Sequence, residues 1–387
     1  MSKRHYDWLI VGAGFTGAVL ANLIASQLNK RVLVIDRRDH IAGNAYDRPN
    51  EDGVLFHQYG PHIFHTNSSD VVDFLSRYTS WRPYEHRVVG LIDNRLIPVP
   101  FNLTSLDLCF GATKGARLKA ALIAAYGAEV KVPILKLRNA EDPEIQDLAE
   151  FIYEKVFLNY TTKQWGLRPE ELNASVTGRV PVHVSYDDRY FQDKFQAMPE
   201  EGYTPLFNRM IEHENITIGT SEDYFGLGSD VAFDNVVFTG PIDEFFRYEL
   251  GALPYRSLRF EFESIVQTQH QPVGTVNYPN DMGFTRITEQ RHLTGQTGLR
   301  TVLTLEYPQA HVPGETEPYY PIPREENQAH YRRYLELANR EAPNVIFAGR
   351  LGDYQYYNMD QAVGHAMSIF RKRILKVEGA ALETGVA

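Results

Sequence analysis

Cysteine is almost absent: Cys109 stands alone in 387 residues. That excludes an intrachain disulfide and any CxxC metal site, and it fits a reducing compartment, so a cytoplasmic protein is expected. Positive charge is in deficit as well. Thirty-nine Lys and Arg face 49 Asp and Glu, a net charge of −10. No nucleic-acid-binding surface is expected from that balance, although local basic pockets for phosphate stay open. Long apolar runs are missing too. Lys3 and Arg4 followed by roughly twenty mostly apolar residues imitate a signal segment or anchor, but the glycine spacing inside that stretch explains it better. No other segment approaches a membrane span. Aromatic residues, by contrast, are plentiful, with 23 Tyr and 21 Phe. Most belong in cores, yet so many amphipathic rings also suit a site that stacks on a base and a sugar.

A chain of this length exceeds one ordinary core, so two or three lobes are expected. Its organising stretch is Asp7 to Asp36, DWLIVGAGFTGAVLANLIASQLNKRVLVID. The run Trp8–Val11 reads as a buried parallel strand, which breaks into Gly12-Ala-Gly14-Phe15-Thr16-Gly17 and continues as a small-residue helix through Leu28. A second run, Arg31–Ile35, ends on Asp36. Gly12 permits the tight turn, Gly14 lets backbone approach a pyrophosphate, and Gly17 lets helix and strand pack closely. The pyrophosphate would lie against the helix N-terminus and Asp36 would take a ribose hydroxyl.

Further along, Arg37 and Arg38 precede a second glycine turn, Gly43-Asn44, which suggests another backbone approach to the same cofactor. Such a turn suits the longer body of FAD. Tyr59-Gly60-Pro61-His62-Ile63-Phe64-His65 reads as a loop. Two histidines three apart invite a metal, but no carboxylate or cysteine partner has suitable spacing, so no metal is expected and His62 reads as a neutral hydrogen-bonding group beside a flavin. From Leu103 to Trp165 apolar residues recur at three- and four-residue steps, interrupted by Pro133 and Pro143, which predicts a helical insertion ending just before Trp165. Alternation predicts strands within 176–204 and at 231–240, 256–264, 273–278 and 300–307. Arg179 and Arg286, each on a segment rich in aromatic residues, suit a diphosphate clamp. Near the end, Val345–Ala348 stops at Gly349-Arg350, and a helix is expected from Asn358 to Lys376. This second strand–glycine–helix element favours FAD over NAD.

These stretches resemble the UDP-galactopyranose mutases. The resemblance is carried by GAGFTGAVLA (12–21), DRRDHIAGNAYD (36–47), YGPHIFHTN (59–67), YTTKQWG (160–166), RVPV (179–182) and YFQDKFQAMPEEGYT (190–204). It continues through TGPID (239–243), YRSLRFE (255–261), TRITE (285–289), EYP (306–308), EPYYPIP (317–323) and GRLGDYQYYNMDQ (349–361). It implies an α/β fold: a Rossmann-like FAD-binding domain, discontinuous in sequence (1–80, 205–245, 340–387), a helical domain (100–175) and an antiparallel sheet domain (81–99, 176–204, 246–339).

The resemblance also implies roles. Arg179 and Arg286 would hold a UDP diphosphate, helped by Tyr320 and Tyr356. Tyr160, Tyr190 and Asn277 would surround the uridine and Phe191 would also contact the substrate, while Trp165, on a mobile loop, and Glu306 would line the sugar site. Asn358 stands where many relatives carry aspartate, which removes a formal charge near the diphosphate. Around FAD the implied contacts are Gly12, Gly14, Phe15, Thr16, Gly17, Asp36 and Arg37. Gly43, Asn44, His62, Ile63, Gly240, Arg350 and Met359 complete them. Arg179, Arg286, His62 and Tyr356 are the expected catalytic groups.

The reaction implied interconverts UDP-galactopyranose and UDP-galactofuranose. Reduced flavin N5 attacks the anomeric carbon, and a flavin–sugar iminium permits ring contraction. The flavin must be kept reduced, by NAD(P)H or another reductant, and a homo-oligomer is expected. Two alternatives remain: an FAD-dependent oxidoreductase of the amine-oxidase type, and a related mutase acting on UDP-GalNAc or dTDP-fucose.

Overall fold

In the computed structural model, which describes residues 4–173 and 181–384, the strand Arg4–Val11 is the centre of a five-stranded parallel sheet. Trp8, Leu9 and Ile10 on it are fully buried, as a strand covered on both faces requires. The sheet order is Ile216–Thr220, Val32–Asp36, Arg4–Val11, Val231–Phe238, Val345–Phe347. The chain winds outward on one side of Arg4–Val11 and resumes on the other, so a crevice opens at the carboxyl ends of Arg4–Val11 and Val231–Phe238. The helix Phe15–Leu28 is buried from Phe15 to Ala25 and closes at Asn29 in the left-handed conformation. Against it packs Met359–Ile369, and these two helices meet at the crevice. The fold is therefore a Rossmann-like α/β architecture joined to antiparallel sheets.

The helical expectation between 103 and 165 holds with local detail. Leu103–Tyr126 is interrupted at Gly111, whose φ is 74°. Pro143 occupies the first turn of Pro143–Ile152, where its missing N–H costs nothing. A π-helical stretch, Tyr153–Leu158, leads into Asn159–Trp165. Trp165 is thus the last helical residue rather than the first beyond it. Leu106, Leu118, Leu122, Ile145, Leu148 and Ile152 make a separate apolar core for this layer.

The remaining layer is a seven-stranded sheet in the order Tyr320–Pro321, Tyr255–Ile265, Thr301–Ala310, Arg286–Glu289, Thr275–Asn277, Val88–Ile92, Arg95–Val99. Every pairing is antiparallel except Thr275–Asn277 with Val88–Ile92. Between 181 and 204 strand is confined to Val182–Val184 and Phe195–Pro199. The intervening residues satisfy their backbone locally: the Asp187 N–H donates to Ser185 Oγ at 3.0 Å and the Arg189 N–H to Asp187 Oδ1 at 3.1 Å. Such side-chain turns compete with a sheet ladder. No described helix is long and apolar enough to cross a membrane.

Candidate active site

The crevice is a cleft walled by the first glycine turn, the second glycine turn, His62, and the Gly349–Arg350 corner. Each fingerprint glycine has its own reason to lack a side chain. Gly12 adopts φ +102° and a Cβ there would overlap the Thr239 hydroxyl. A Cβ on Gly17 would overlap the carbonyl oxygen of Gly12, so helix and strand could not approach. Gly14 differs: its nearest neighbour would be the Cα of Gly43, at 3.7 Å. The two glycine turns therefore face each other across bare backbone: Gly43, at φ +55°, must lack a side chain because a Cβ there would stand 2.9 Å from the Gly14 Cα, whereas Gly14 has no such packing need and leaves a cradle for a ligand. Asp36 Oδ2 accepts the Ala13 N–H at 2.9 Å, and Oδ1 the Arg38 N–H at 3.0 Å. Its carboxylate pins the turn while lining the cleft.

Of the residues expected around a dinucleotide, all but Ile63 line this cleft; Ile63 is buried in the adjoining core. Asn358, expected near a diphosphate, lines it too and caps the helix Met359–Ile369 through a reciprocal bond with Gln361. The two arginines after Asp36 are already partnered. Arg37 meets Glu244 at 3.0 Å and Glu317 at 3.6 Å, and Arg38 meets Glu317 at 3.1 Å while lying over the Tyr59 ring. Sequence reasoning missed the far wall, Glu222 to Phe225, along with Thr239, Tyr319 and Tyr357. Nothing periodic marks these residues, which reach the cleft only through the strand order.

His62 joins the cleft to a second cluster. Its Nδ1 lies 2.9 Å from the Gly60 carbonyl and its backbone N–H donates to His57 Nδ1 at 3.0 Å. Burial pushes its pKa down to about 3. A carbonyl only accepts, so the neutral ring carries its proton on Nδ1 and presents Nε2 as an acceptor. Gly60 in turn packs against the next group, since a Cβ there would stand 3.2 Å from Glu306 Oε2.

That group is an ion pair. Arg286 and Glu306 lie opposite each other on neighbouring antiparallel strands, and Arg286 Nε and Nη2 donate to Glu306 Oε2 at 2.9 and 2.7 Å. Glu306 is 1% exposed. Burial opposes the Arg286 charge, yet Glu306 and the phenol oxygens of Tyr160 and Tyr320 hold its pKa well above the ordinary value. Burial likewise pushes the Tyr160 and Tyr320 phenols up, which keeps them protonated donors. Trp165, 7% exposed, packs on Tyr320 and Tyr356 with ring centroids 6.0 and 5.7 Å away. Arg350 lies over both tyrosine rings at 5.5 and 5.8 Å. Asn277 pairs with Arg286 in register.

Tyr190 and Phe191 pack edge to face, and Phe191 stacks on His65 at 3.6 Å. His65 itself donates to Asp193 at 2.8 Å. Among the described residues no cluster could hold a metal ion. Arg179 lies outside the described residues, so the structure places one arginine of the expected pair.

Fold and cleft together define a dinucleotide-binding enzyme of the Rossmann-like class, with a buried cationic and aromatic cluster at one end of its cleft. Residues 10–78 match the NAD(P)-binding Rossmann-like domain profile, and residues 155–356 match the UDP-galactopyranose mutase profile. A probable UDP-galactopyranose mutase of Klebsiella pneumoniae is 38% identical over 363 residues, covering 93% of this chain and 92% of that one. The dTDP-fucopyranose mutase of Escherichia coli is 35% identical over 374 residues, covering 93% and 96%. A crystal structure of reduced UDP-galactopyranose mutase superposes with a TM-score of 0.69 at 15% identity, covering 96% of each chain. The chain belongs to the UDP-galactopyranose mutase family of isomerases.

Proposed function

We propose that the chain interconverts UDP-galactopyranose and UDP-galactofuranose with reduced FAD in the cleft, supplying galactofuranose for cell-surface glycans. The observation that carries this reading is Arg286, a partly buried guanidinium held by buried Glu306 among protonated phenols and a tryptophan, with His62 and Arg350 between it and the dinucleotide cleft. The glycine cradle and the second turn at Gly43 fit a dinucleotide whose far end reaches His62, as FAD requires. Reduced flavin, when bound, supplies the electron pair at N5 for the anomeric carbon.

The chain's own groups handle the leaving diphosphate. As the bond from the anomeric carbon to the phosphate oxygen breaks, its electron pair stays on the phosphate, and Arg286 stabilises the growing charge. Tyr320 and Tyr356 offer phenol hydroxyls to the same oxygens. Trp165 closes over the sugar and excludes water. Holding the diphosphate in place makes its return to the contracted ring effectively intramolecular. His62 Nε2 accepts a hydrogen bond at the boundary between cofactor and sugar. A charged guanidinium beside the cleft argues against the apolar cage an amine oxidase needs.

A second reading, a dTDP-sugar mutase, is favoured by the extent of the Escherichia coli relative. One assay separates them. Holoprotein, oxidised or dithionite-reduced, is offered UDP-galactofuranose and the furanose form of dTDP-fucose in turn. Conversion of the UDP sugar by reduced protein alone is expected. Equal turnover by oxidised protein would sink the nucleophilic role of the flavin, and no turnover of either sugar would sink the mutase reading.

A further inference from the structure

Arg256 opens the strand Tyr255–Ile265 but does none of the work described above. It pairs in register with Tyr320, so its side chain starts beside the aromatic cluster. An arginine that is partly buried normally finds a carboxylate. Among the described residues none lies within ion-pair distance of Arg256, and burial alone lowers its pKa. What it meets is backbone. Nε donates to the Gln164 carbonyl at 3.0 Å and Nη2 to the Lys163 carbonyl at 3.1 Å.

Those carbonyls belong to the last turn of Asn159–Trp165, which closes at Gly166 with φ 69°. Helix ends leave such carbonyls without intrahelical partners, and the negative end of the helix dipole favours a cation there. The guanidinium fork reaches two successive carbonyls, which a single ammonium does not do in the same geometry. The fit is close: a Cβ on Gly166 would stand 3.3 Å from Arg256 Nη1. Two further bonds tie this helix to the sheet layer, Lys163 Nζ to the Tyr278 carbonyl at 2.8 Å and Asn159 to Asn280 at 3.0 Å. Arg256 is the group that takes the carbonyls at the end that bears Trp165.

We propose that Arg256 is a positioning residue for the sugar site, docking the end of the Asn159–Trp165 helix on the sheet so that Trp165 stands against Tyr320 and Tyr356. The assignment of that cluster to the sugar rests on the function proposed above; the docking itself does not.

The experiment therefore has two independent arms, both on reduced, FAD-loaded protein. In the first, no sugar is used. Trp165 emission is taken as the difference between each protein and its Trp165→Phe counterpart, and trypsin cleavage after Lys163 is timed. Arg256→Gln is expected to red-shift the Trp165 signal and speed cleavage at least tenfold, with Arg256→Lys in between. Gly166→Ala, which crowds the guanidinium from the helix side, is expected to move both signals the same way with Arg256 intact. In the second arm, Arg256→Gln is expected to raise KM for the UDP sugar more than tenfold while kcat falls less, and Arg256→Lys to restore part of the loss. Unchanged emission and cleavage in all three variants would overturn the docking. A shifted first arm with unchanged KM and kcat would leave the docking standing and remove its link to the sugar site. If Arg256→Gln does not fold, Arg256→Lys and Gly166→Ala carry both arms.

Discussion

Arg286 and Glu306 share one hydrogen-bonded carboxylate oxygen, while the other Glu306 oxygen is buried and accepts no hydrogen bond among the described residues. An arrangement of that kind spends a buried carboxylate on orienting one guanidinium. Removing the carboxylate charge leaves the cation uncompensated, so Glu306→Gln should lower stability by about 3–5 kcal/mol. Urea unfolding of the FAD-loaded variant measures it; a loss below about 1 kcal/mol, the size of an exposed pair, would mean the pair is solvated.

Removing the cation instead leaves the dinucleotide cleft untouched. Arg286→Ala should retain FAD, read from flavin absorbance after desalting, while kcat falls by about 10²–10³ or more, the size of losing one preorganised charge contact at the reacting centre. Arg286→Lys should recover little of it, because a point charge cannot keep the geometry set by Glu306. Near-normal turnover in either variant would remove Arg286 from the diphosphate.

The fingerprint glycines separate packing from ligand approach. Gly17→Ala drives a Cβ into the Gly12 carbonyl and should destabilise the fold by at least ~1–3 kcal/mol, the usual range for overpacking. Gly14→Ala meets nothing closer than 3.7 Å; it should melt like the parent once stripped of cofactor, yet bind FAD more weakly. The same loss of apo-protein stability in both would contradict the cradle.

Two buried histidines predict an acid limb. His57 and His86 are 1% and 3% exposed, and burial lowers both from 6.5 to about 3. Unfolding exposes them to protonation, so the unfolded state binds more protons wherever pH lies between those values. Their contribution is fully present above about pH 6.5 and is lost as pH falls toward 3, at up to ~1.4 kcal/mol per pH unit for each ring. Chemical unfolding between pH 7 and 4.5 measures the slope. His57→Asn should make it shallower by one proton, whatever that variant does to absolute stability.

How much of this was legible in the chain depends on how local each feature is. The strand–glycine–helix unit from Asp7 to Asp36 is contiguous, and each glycine answers a steric demand set by neighbours within a few residues or by the next strand. The turn at Gly43 and the corner at Gly349 were readable for the same reason. The run from 185 to 194 was not readable as loop, because its alternation imitates a strand while Ser185 and Asp187 quietly take the backbone bonds. Nothing local to Arg37 and Arg38 reveals their partners; Glu244 and Glu317, more than two hundred residues away, hold them in the folded chain.

Readable along the chain were the nucleotide-binding half, the resemblance to the mutases, and the residue types of the proposed sugar site. Backbone turns and hydrophobic period are short-range properties, so neighbours along the chain suffice to specify them. Which groups meet was settled on folding. Arg286 faces Glu306 because two antiparallel strands set their register, and Arg256 reaches Lys163 and Gln164 because the helical layer ends above that sheet. A charge buried by folding takes whatever partner the packed layers bring to it, and that choice is made across the whole chain.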